Sequence, residues 1–377
     1  MREASIDGSR PKRGRRVRTT RASVKVVERI ARAAITLGGS LTIVAVGAIC
    51  VFLVWVVVPL FRGVGASEAR ASAVASTGDR RVAHTGLDEY GRLCWSVLSG
   101  GRVELHELAG GRAIFSRPLF EGAVPTCSAY EARDGALAFG FADGTLRLGA
   151  ISIDSEIVVD ASGADPRPDL AAGSIALEDE GIVERTLQGS LRRERLSVRL
   201  DPPVEVGAPL ALIDVTILPA GPVIAVLTEA GRLELSSVRR TKNLLTEEET
   251  VQLVRSELPF RPAPTGEAPI ALKLLGAGDD VLVVWGDGRM VRIDARDRDA
   301  PVEVESLDLV PEPGATITTV GFLAGRRTLL VGDSLGRVQG WFKIKPRDAG
   351  TLDGARMALG HSFAGPAPIT ALAESTA

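Results

Sequence analysis

The stretch VLVVWGDGRMVRIDA, residues 281–295, decides how the rest of this chain is read. Five apolar residues run unbroken into Gly-Asp-Gly, and a second strand of mixed apolar and basic residues leaves the turn. Turn residues of this kind between two β-favouring runs specify a hairpin. The same form recurs on both sides: CWSVLSGGRVELHEL at 94–108, ALAFGFADGTLRLG at 136–149, IVERTLQGSLRRERL at 182–196, VIAVLTEAGRLELSSV at 223–238 and LLVGDSLGRVQGWF at 329–342. The copy at 182–196 carries the most charge in its strands.

The turn glycines of the six copies are Gly101, Gly144, Gly189, Gly231, Gly288 and Gly336, at intervals of 43, 45, 42, 57 and 48 residues. A lone hairpin cannot bury its apolar face. Four-stranded units of about 40–45 residues solve this by stacking radially into a propeller. The widest interval contains PFRPAPTGEAP, 259–269, whose Pro and Gly content predicts a surface loop. Short β-rich segments feed the later hairpins: 209–227, 268–285 and 316–331. SFAGPAPITALAESTA, 362–377, begins the same pattern. Residues 81–377 are therefore expected to form an all-β, WD40-like propeller of about seven blades, the last incomplete and the domain truncated at its C-terminus. The alternative is a six-bladed ring closed by outer-strand material from 81–93. A weak amphipathic helical pattern at 242–250 stands apart from this β texture.

Ahead of the repeats lies AAITLGGSLTIVAVGAICVFLVWVVVPLF, 29 residues from Ala33 to Phe61 without a charge. About 20 apolar residues suffice to cross a bilayer as a helix. Residues 1–32 hold 11 Lys or Arg against 3 Asp or Glu, a net charge of +8. A basic flank of this kind keeps the N-terminus cytoplasmic. The sequence thus predicts a basic cytoplasmic tail (1–32), a transmembrane helix (33–61), a flexible tether (62–80) and an exported β domain (81–377). A cleaved signal peptide is the competing reading, but its apolar region would be about 7–15 residues. Pro59 is placed to kink the end of the span, and Trp55 and Phe61 to mark the membrane interface. Gly38, Gly39, Ser40 and Ala45 form a small-residue patch suited to helix contact.

Residues 33–377 carry 34 Lys or Arg against 44 Asp or Glu. That acidity is unsuited to nucleic acid, whose phosphates require neutralising cations. Three cysteines are present, Cys50 in the span and Cys94 and Cys127 beyond it; the last two either pair or remain buried thiols. His84, His106 and His361 are scattered, with no metal-ligand spacing. No nucleophile elbow, phosphate-binding loop or zinc-binding histidine pair occurs, so neither enzyme activity nor a cofactor is expected. Asp143, Asp287 and Asp333 sit at hairpin turns, where they could ring one face around a cation or simply cap backbone amides. Trp95, Trp285 and Trp341 fall within hairpin strands, as packing residues would.

The segment VVERIARAAITLGGSLTIVAVGAICVFLVWVVVPLFRGV, 26–64, resembles the start of the large, PstC-like permease subunits of bacterial phosphate ABC importers. In these an opening helix ends in a V-x-P-L-F type motif, matched here by Val57-Val58-Pro59-Leu60-Phe61, and a periplasmic propeller-like insertion follows. The resemblance implies a permease component of an ATP-driven phosphate importer in the bacterial inner membrane. Its implied partners are a second permease subunit, cytoplasmic ATPase subunits, a periplasmic phosphate-binding protein and the lipid bilayer. The chain departs from that pattern in having no second span after residue 61, hence no multi-helix translocation core. The alternative reading is a single-pass anchored propeller acting as an interaction or assembly module.

Overall fold

Apolar residues on both faces of a strand demand cover on both faces, and that demand organises the β region. The computed structural model describes residues 22–58, 81–158, 167–242, 249–262, 266–310, 312–323 and 325–373. The chain divides into two units, Met1–Ala71 and Ser72–Ala377.

In the first unit, α1 (Ala22–Val57) is a 36-residue helix. Its segment Arg29–Val57, 29 residues, is long and apolar enough to cross a membrane by length and composition. Thr36 and Thr42 donate their hydroxyls to the carbonyls of Arg32 and Gly38, at 2.9 and 3.0 Å. These bonds satisfy polar groups inside an apolar helix without breaking it. Most of the expected basic tail, the tether, Pro59 and Phe61 lie outside the described residues.

The second unit contains five antiparallel sheets among the described residues. The first comprises β1 (Val82–Leu87), β2 (Leu93–Leu98), β3 (Arg102–Glu107) and β4 (Ala113–Pro118). The second comprises β5 (Pro125–Glu131), β6 (Ala136–Phe141), β7 (Thr145–Val158), β8 (Ile175–Glu178), β9 (Gly181–Arg185), β10 (Leu191–Leu200) and β11 (Val204–Glu205). The third holds β12 (Leu210–Leu218), β13 (Gly221–Thr228), β14 (Leu233–Lys242) and β15 (Glu249–Glu257). The fourth holds β16 (Pro269–Leu275), β17 (Asp280–Trp285), β18 (Arg289–Asp294) and β19 (Val302–Asp308). The fifth holds β20 (Ile317–Phe322), β21 (Thr328–Asp333), β22 (Arg337–Ile344) and β23 (Arg356–Ala364).

All six expected hairpins form, and their turn glycines adopt positive φ. The hairpin at 182–196 does not make a sheet of its own. The 14-residue β7 pairs with β6 at its start, then runs on beside β10, and β9 and β8 add to that ribbon. The expected count of about seven blades is corrected for this reason: six hairpins give five sheets. The six-bladed closure by 81–93 is corrected too, because Val82–Leu87 pairs with β2 as the first strand of the first sheet. Of the helical pattern at 242–250, Lys242 ends β14 and Glu249 and Thr250 begin β15, while 243–248 lie outside the described residues.

Successive sheets are joined by four apolar cores. Leu93, Trp95 and Val97 pack with Leu137, Phe139 and Phe141 between the first and second sheets. Ala136 and Ala138 meet Leu210, Val215, Ile224 and Val226 between the second and third. Val223, Ala225 and Leu227 meet Val281, Val283 and Trp285 between the third and fourth. Leu282, Val284 and Met290 meet Ile317, Leu329 and Val331 between the fourth and fifth. Alternate residues of β6, β13 and β17 therefore enter two different cores, which is why these strands read as unbroken apolar runs. No such core joins the fifth sheet to the first among the described residues. The result is a β-rich, propeller-like unit that follows one apolar N-terminal helix in the chain.

Candidate functional site

Two places in the β unit gather chemistry: the hub, where first strands converge, and the outer face of the fifth sheet.

At the hub, Asp214 interrupts the apolar strand LALIDVTIL of β12 and is 1% exposed. Burying a carboxylate is costly unless it is paired. Arg326, from the turn between β20 and β21, supplies the pairing. Its guanidinium bonds the Asp214 carboxylate and donates to the carbonyls of Leu274 at 3.1 Å and Val215 at 3.0 Å. Arg326 lies over the Phe322 ring, 4.8 Å from its centroid. It is the one non-glycine with positive φ (52°) among the described residues. The Arg326 backbone donates to the Leu323 carbonyl at 3.0 Å and accepts from the Gly276 amide at 2.7 Å, and the guanidinium bonds tie the fifth sheet to the third and fourth. The Leu274 amide donates to the same carboxylate oxygen, Asp214 Oδ2, at 2.7 Å.

Lys273 places its ammonium 3.9 Å from Asp214 Oδ1. His84 on β1 shares a 2.9 Å hydrogen bond between Nε2 and Ser128 Oγ. Burial first, then the Lys273 charge, push His84 down to about 4, so it is neutral at pH 7. His84, Lys273 and Arg326 border a cavity of about 470 Å³.

A second buried charge cluster closes the fourth sheet against the loop before β23. Arg292 is fully buried and pairs with Asp280 at 2.8 Å, Glu305 at 2.8 Å and Asp353 at 2.7 Å. It also donates to the Ala355 carbonyl at 2.6 Å. Burial works against the charge on Asp353, yet the bonds from Arg292 hold its carboxyl well below the usual range. This cluster is saturated by its own bonds and fastens a loop.

The fifth sheet presents its outer face differently. Phe363 is 67% exposed and Phe342 37%, on the face opposite the Leu329–Val331 core. Residues 365–369 return along the inner part of that face. Thr318 Oγ1 donates to the carbonyls of Gly332 and Ile369, as Thr126 Oγ1 donates to those of Gly140 and Leu210. The Gly365 amide bonds the Gly336 carbonyl, as the Val206 amide bonds that of Gly144. A Cβ at Gly332 would stand 2.6 Å from the Ile369 side chain; one at Gly140 would stand 2.8 Å from Leu210. Residues 365–369 thus lie on the fifth sheet as the start of β12 lies on the second.

The residues singled out from sequence are dispersed. Asp143 accepts from the Thr145 amide at 2.9 Å, Asp287 from the Arg289 amide at 3.0 Å, and Asp333 from the Leu335 amide at 2.9 Å. They cap their own turns. Among the described residues, no group of three His, Cys, Asp or Glu is placed to hold a metal. His106 pairs with Glu104 at 3.4 Å in a buried position, and His361 lies exposed beside Phe363. Cys94 and Cys127 are free thiols, and burial pushes Cys127 up to about 11. Trp95 and Trp285 are buried, and Phe260 of the expected surface loop stacks on Trp285 at 6.0 Å. Asp214 and Arg326 were missed. The visible signal was an acidic residue inside an apolar run, but its partner stands 112 residues away.

No family model matches the chain, and no curated protein does. Among solved structures, the Cps50 (Swd1) β-propeller domain of Myceliophteria thermophila is 16% identical, covering 77% of this chain and 74% of its own, with a TM-score of 0.42. A chain of the mitotic checkpoint complex is 10% identical, covering 79% and 70%, with a TM-score of 0.39. These findings correct the phosphate-permease reading: no permease is among these matches, and no family model supports the resemblance at 26–64. The implied permease, ATPase and phosphate-binding-protein partners are withdrawn with it. So is placement in a bacterial inner membrane with a periplasmic domain, which joined that resemblance to a single apolar helix.

Proposed function

We propose that the β unit is an interaction or assembly module of WD40-like propeller architecture, docking its partner on the outer face of the fifth sheet. One observation carries this reading. Among the described residues, every other interval between consecutive sheets is filled by an apolar core, while Phe342 and Phe363 stand exposed beside an interval that has none. Exposed apolar surface next to strand backbone is suited to receiving another β element. In this reading the arc holds five complete units, and residues 366–373 open a sixth. The reading keeps the division into a tail (1–32), a membrane-crossing segment (33–61), a tether (62–80) and the β domain (81–377); the apolar segment Arg29–Val57 and a first strand at Val82 support its second and last parts.

The test is photo-crosslinking from position 363 of the full chain in its native cells, with position 187 on the β9–β10 turn as control. Leu187 is 83% exposed. A discrete adduct from 363, absent from 187 and lost in Phe342→Glu, supports the module. Equal labelling at both positions overturns it.

A second reading has its own observation. Ala-Pro-Ile-Thr at 367–370 repeats Ala-Pro-Leu-Ala at 208–211 and Ala-Pro-Ile-Ala at 268–271, each of which opens a sheet of this same chain. Here further strands of the same polypeptide, a continuation beyond Ala377, cover the face. A reading frame continuing into such strands, with position 363 protected from crosslinking in the longer chain, would favour it.

A further inference from the structure

We propose that the hub cavity is a binding site for a carboxylate, delivered as the side chain of an acidic residue in a peptide segment. The residues bordering the cavity include two cations, Lys273 and Arg326, and no Asp or Glu. Arg326 is committed to Asp214 and to two backbone carbonyls. Lys273 is not. Its nearest carboxylate oxygen, Asp214 Oδ1, lies at 3.9 Å, beyond hydrogen-bond distance, and its side chain is 24% exposed. With Asp214 matched to Arg326 and His84 neutral, the cavity is left one positive charge in excess.

An ammonium carries three donors and no acceptor, so an ionised oxygen is its best partner. One uncommitted cation matches one negative charge, which favours a carboxylate over a dianion. The walls complete the fit. Val320, Phe322 and Leu372 supply apolar surface for the hydrocarbon stem of an acidic side chain. A volume of about 470 Å³ admits that side chain with adjoining backbone. The excess charge sits in a chain whose residues 33–377 are net acidic, so a passing anion is attracted at this point rather than by the surface as a whole.

Fifth-sheet residues and 370–373 border the cavity, but Phe342 and Phe363 do not, and the test is separate from the crosslinking. The full chain in detergent, with its histidines ¹⁵N-labelled, is titrated with N-acetyl-glutamate amide and with N-acetyl-glutamine amide, reading the His84 signal beside Lys273. The glutamate probe should give a saturable shift, and the glutamine probe should bind at least tenfold more weakly. Lys273→Met should lose the response at least tenfold, Lys273→Arg should retain it, and Lys345→Met, at an exposed position, should not change it. Equal response to the two probes overturns the proposal on the unaltered protein, whatever the variants do. A response surviving in folded Lys273→Met overturns it equally. Lys273→Met leaves crosslinking from position 363 unchanged, so failure here and failure of the docking face are distinguishable.

Discussion

Strand β17 of the fourth sheet and strand β21 of the fifth occupy equivalent places in their hairpins, yet they are surrounded differently. In β17, Val281, Val283 and Trp285 enter one core, and Leu282 and Val284 enter the next. In β21, Leu329 and Val331 enter a core, while Thr328, Leu330 and Gly332 face the other way, toward Phe342, Gly340 and Val338 of β22. An interior sheet is apolar on both faces because both are covered. A sheet at the end of the arc keeps one core face and one face of small and mixed residues. The asymmetry identifies where the unit can receive something.

The sharpest way to break the comparison is to delete one side chain from each kind of face. Leu282→Ala should cost about 2–5 kcal/mol in urea unfolding of the full chain, as for a buried leucine losing its neighbours. Phe363→Ala should stay within about 0.5 kcal/mol, because the ring is already exposed. Equal costs at the two positions would mean that the fifth-sheet face is covered after all.

A smaller effect separates the two close-approach glycines. Gly140→Ala forces a methyl against Leu210, which is fully buried, and against the Cys127 sulfur, at a cost of about 1–3 kcal/mol. Gly332→Ala presses on Ile369, in a segment packed from one side. That segment should yield, so the loss should be smaller and the Ile369 amide should exchange faster with solvent. An unchanged Ile369 exchange rate would show that 365–369 is held by more than the contact at Gly332.

The smallest effect is a pH dependence at the edge of the fourth sheet. Asp353 is held by Arg292 below the ordinary carboxylate value of about 3.9. It faces Arg292, with Asp280, Glu305 and Lys343 in the same cluster. Its contribution to stability is complete above the unfolded-state value and is lost as pH falls below it, because the unfolded chain then takes up a proton that the folded carboxylate refuses. Thermal unfolding between pH 6 and pH 3 should therefore show a steeper decline in the parent chain than in Arg292→Met. Parallel declines would remove Asp353 from the cause.

Local order was legible wherever local chemistry decides it. Each expected hairpin formed because apolar runs meet turns with Gly where positive φ is required, as at Gly288 and Gly336. Asp143, Asp287 and Asp333 behaved as turn residues for the same local reason. The hairpin at 182–196 was legible as a hairpin but not as an extension of the second sheet. That assignment depends on β7 running on for 14 residues and taking β10 as its partner. The hub was the least visible. Asp214 meets Arg326 across 112 residues, and neither has a neighbour in sequence that announces the other.

The sequence by itself determined the β character of the described residues between 81 and 373, the positions of the turns and one long apolar helix. Periodicity, turn chemistry and the length of an uncharged run are properties of neighbours in the chain. Among the described residues, tertiary structure alone decided that six hairpins make five sheets, that Arg326 and Lys273 meet at Asp214, and that the fifth sheet keeps a face with no core against it. Those outcomes depend on which strand finds which partner and on where a buried charge finds its counter-ion. Contacts between residues far apart in the chain settle both.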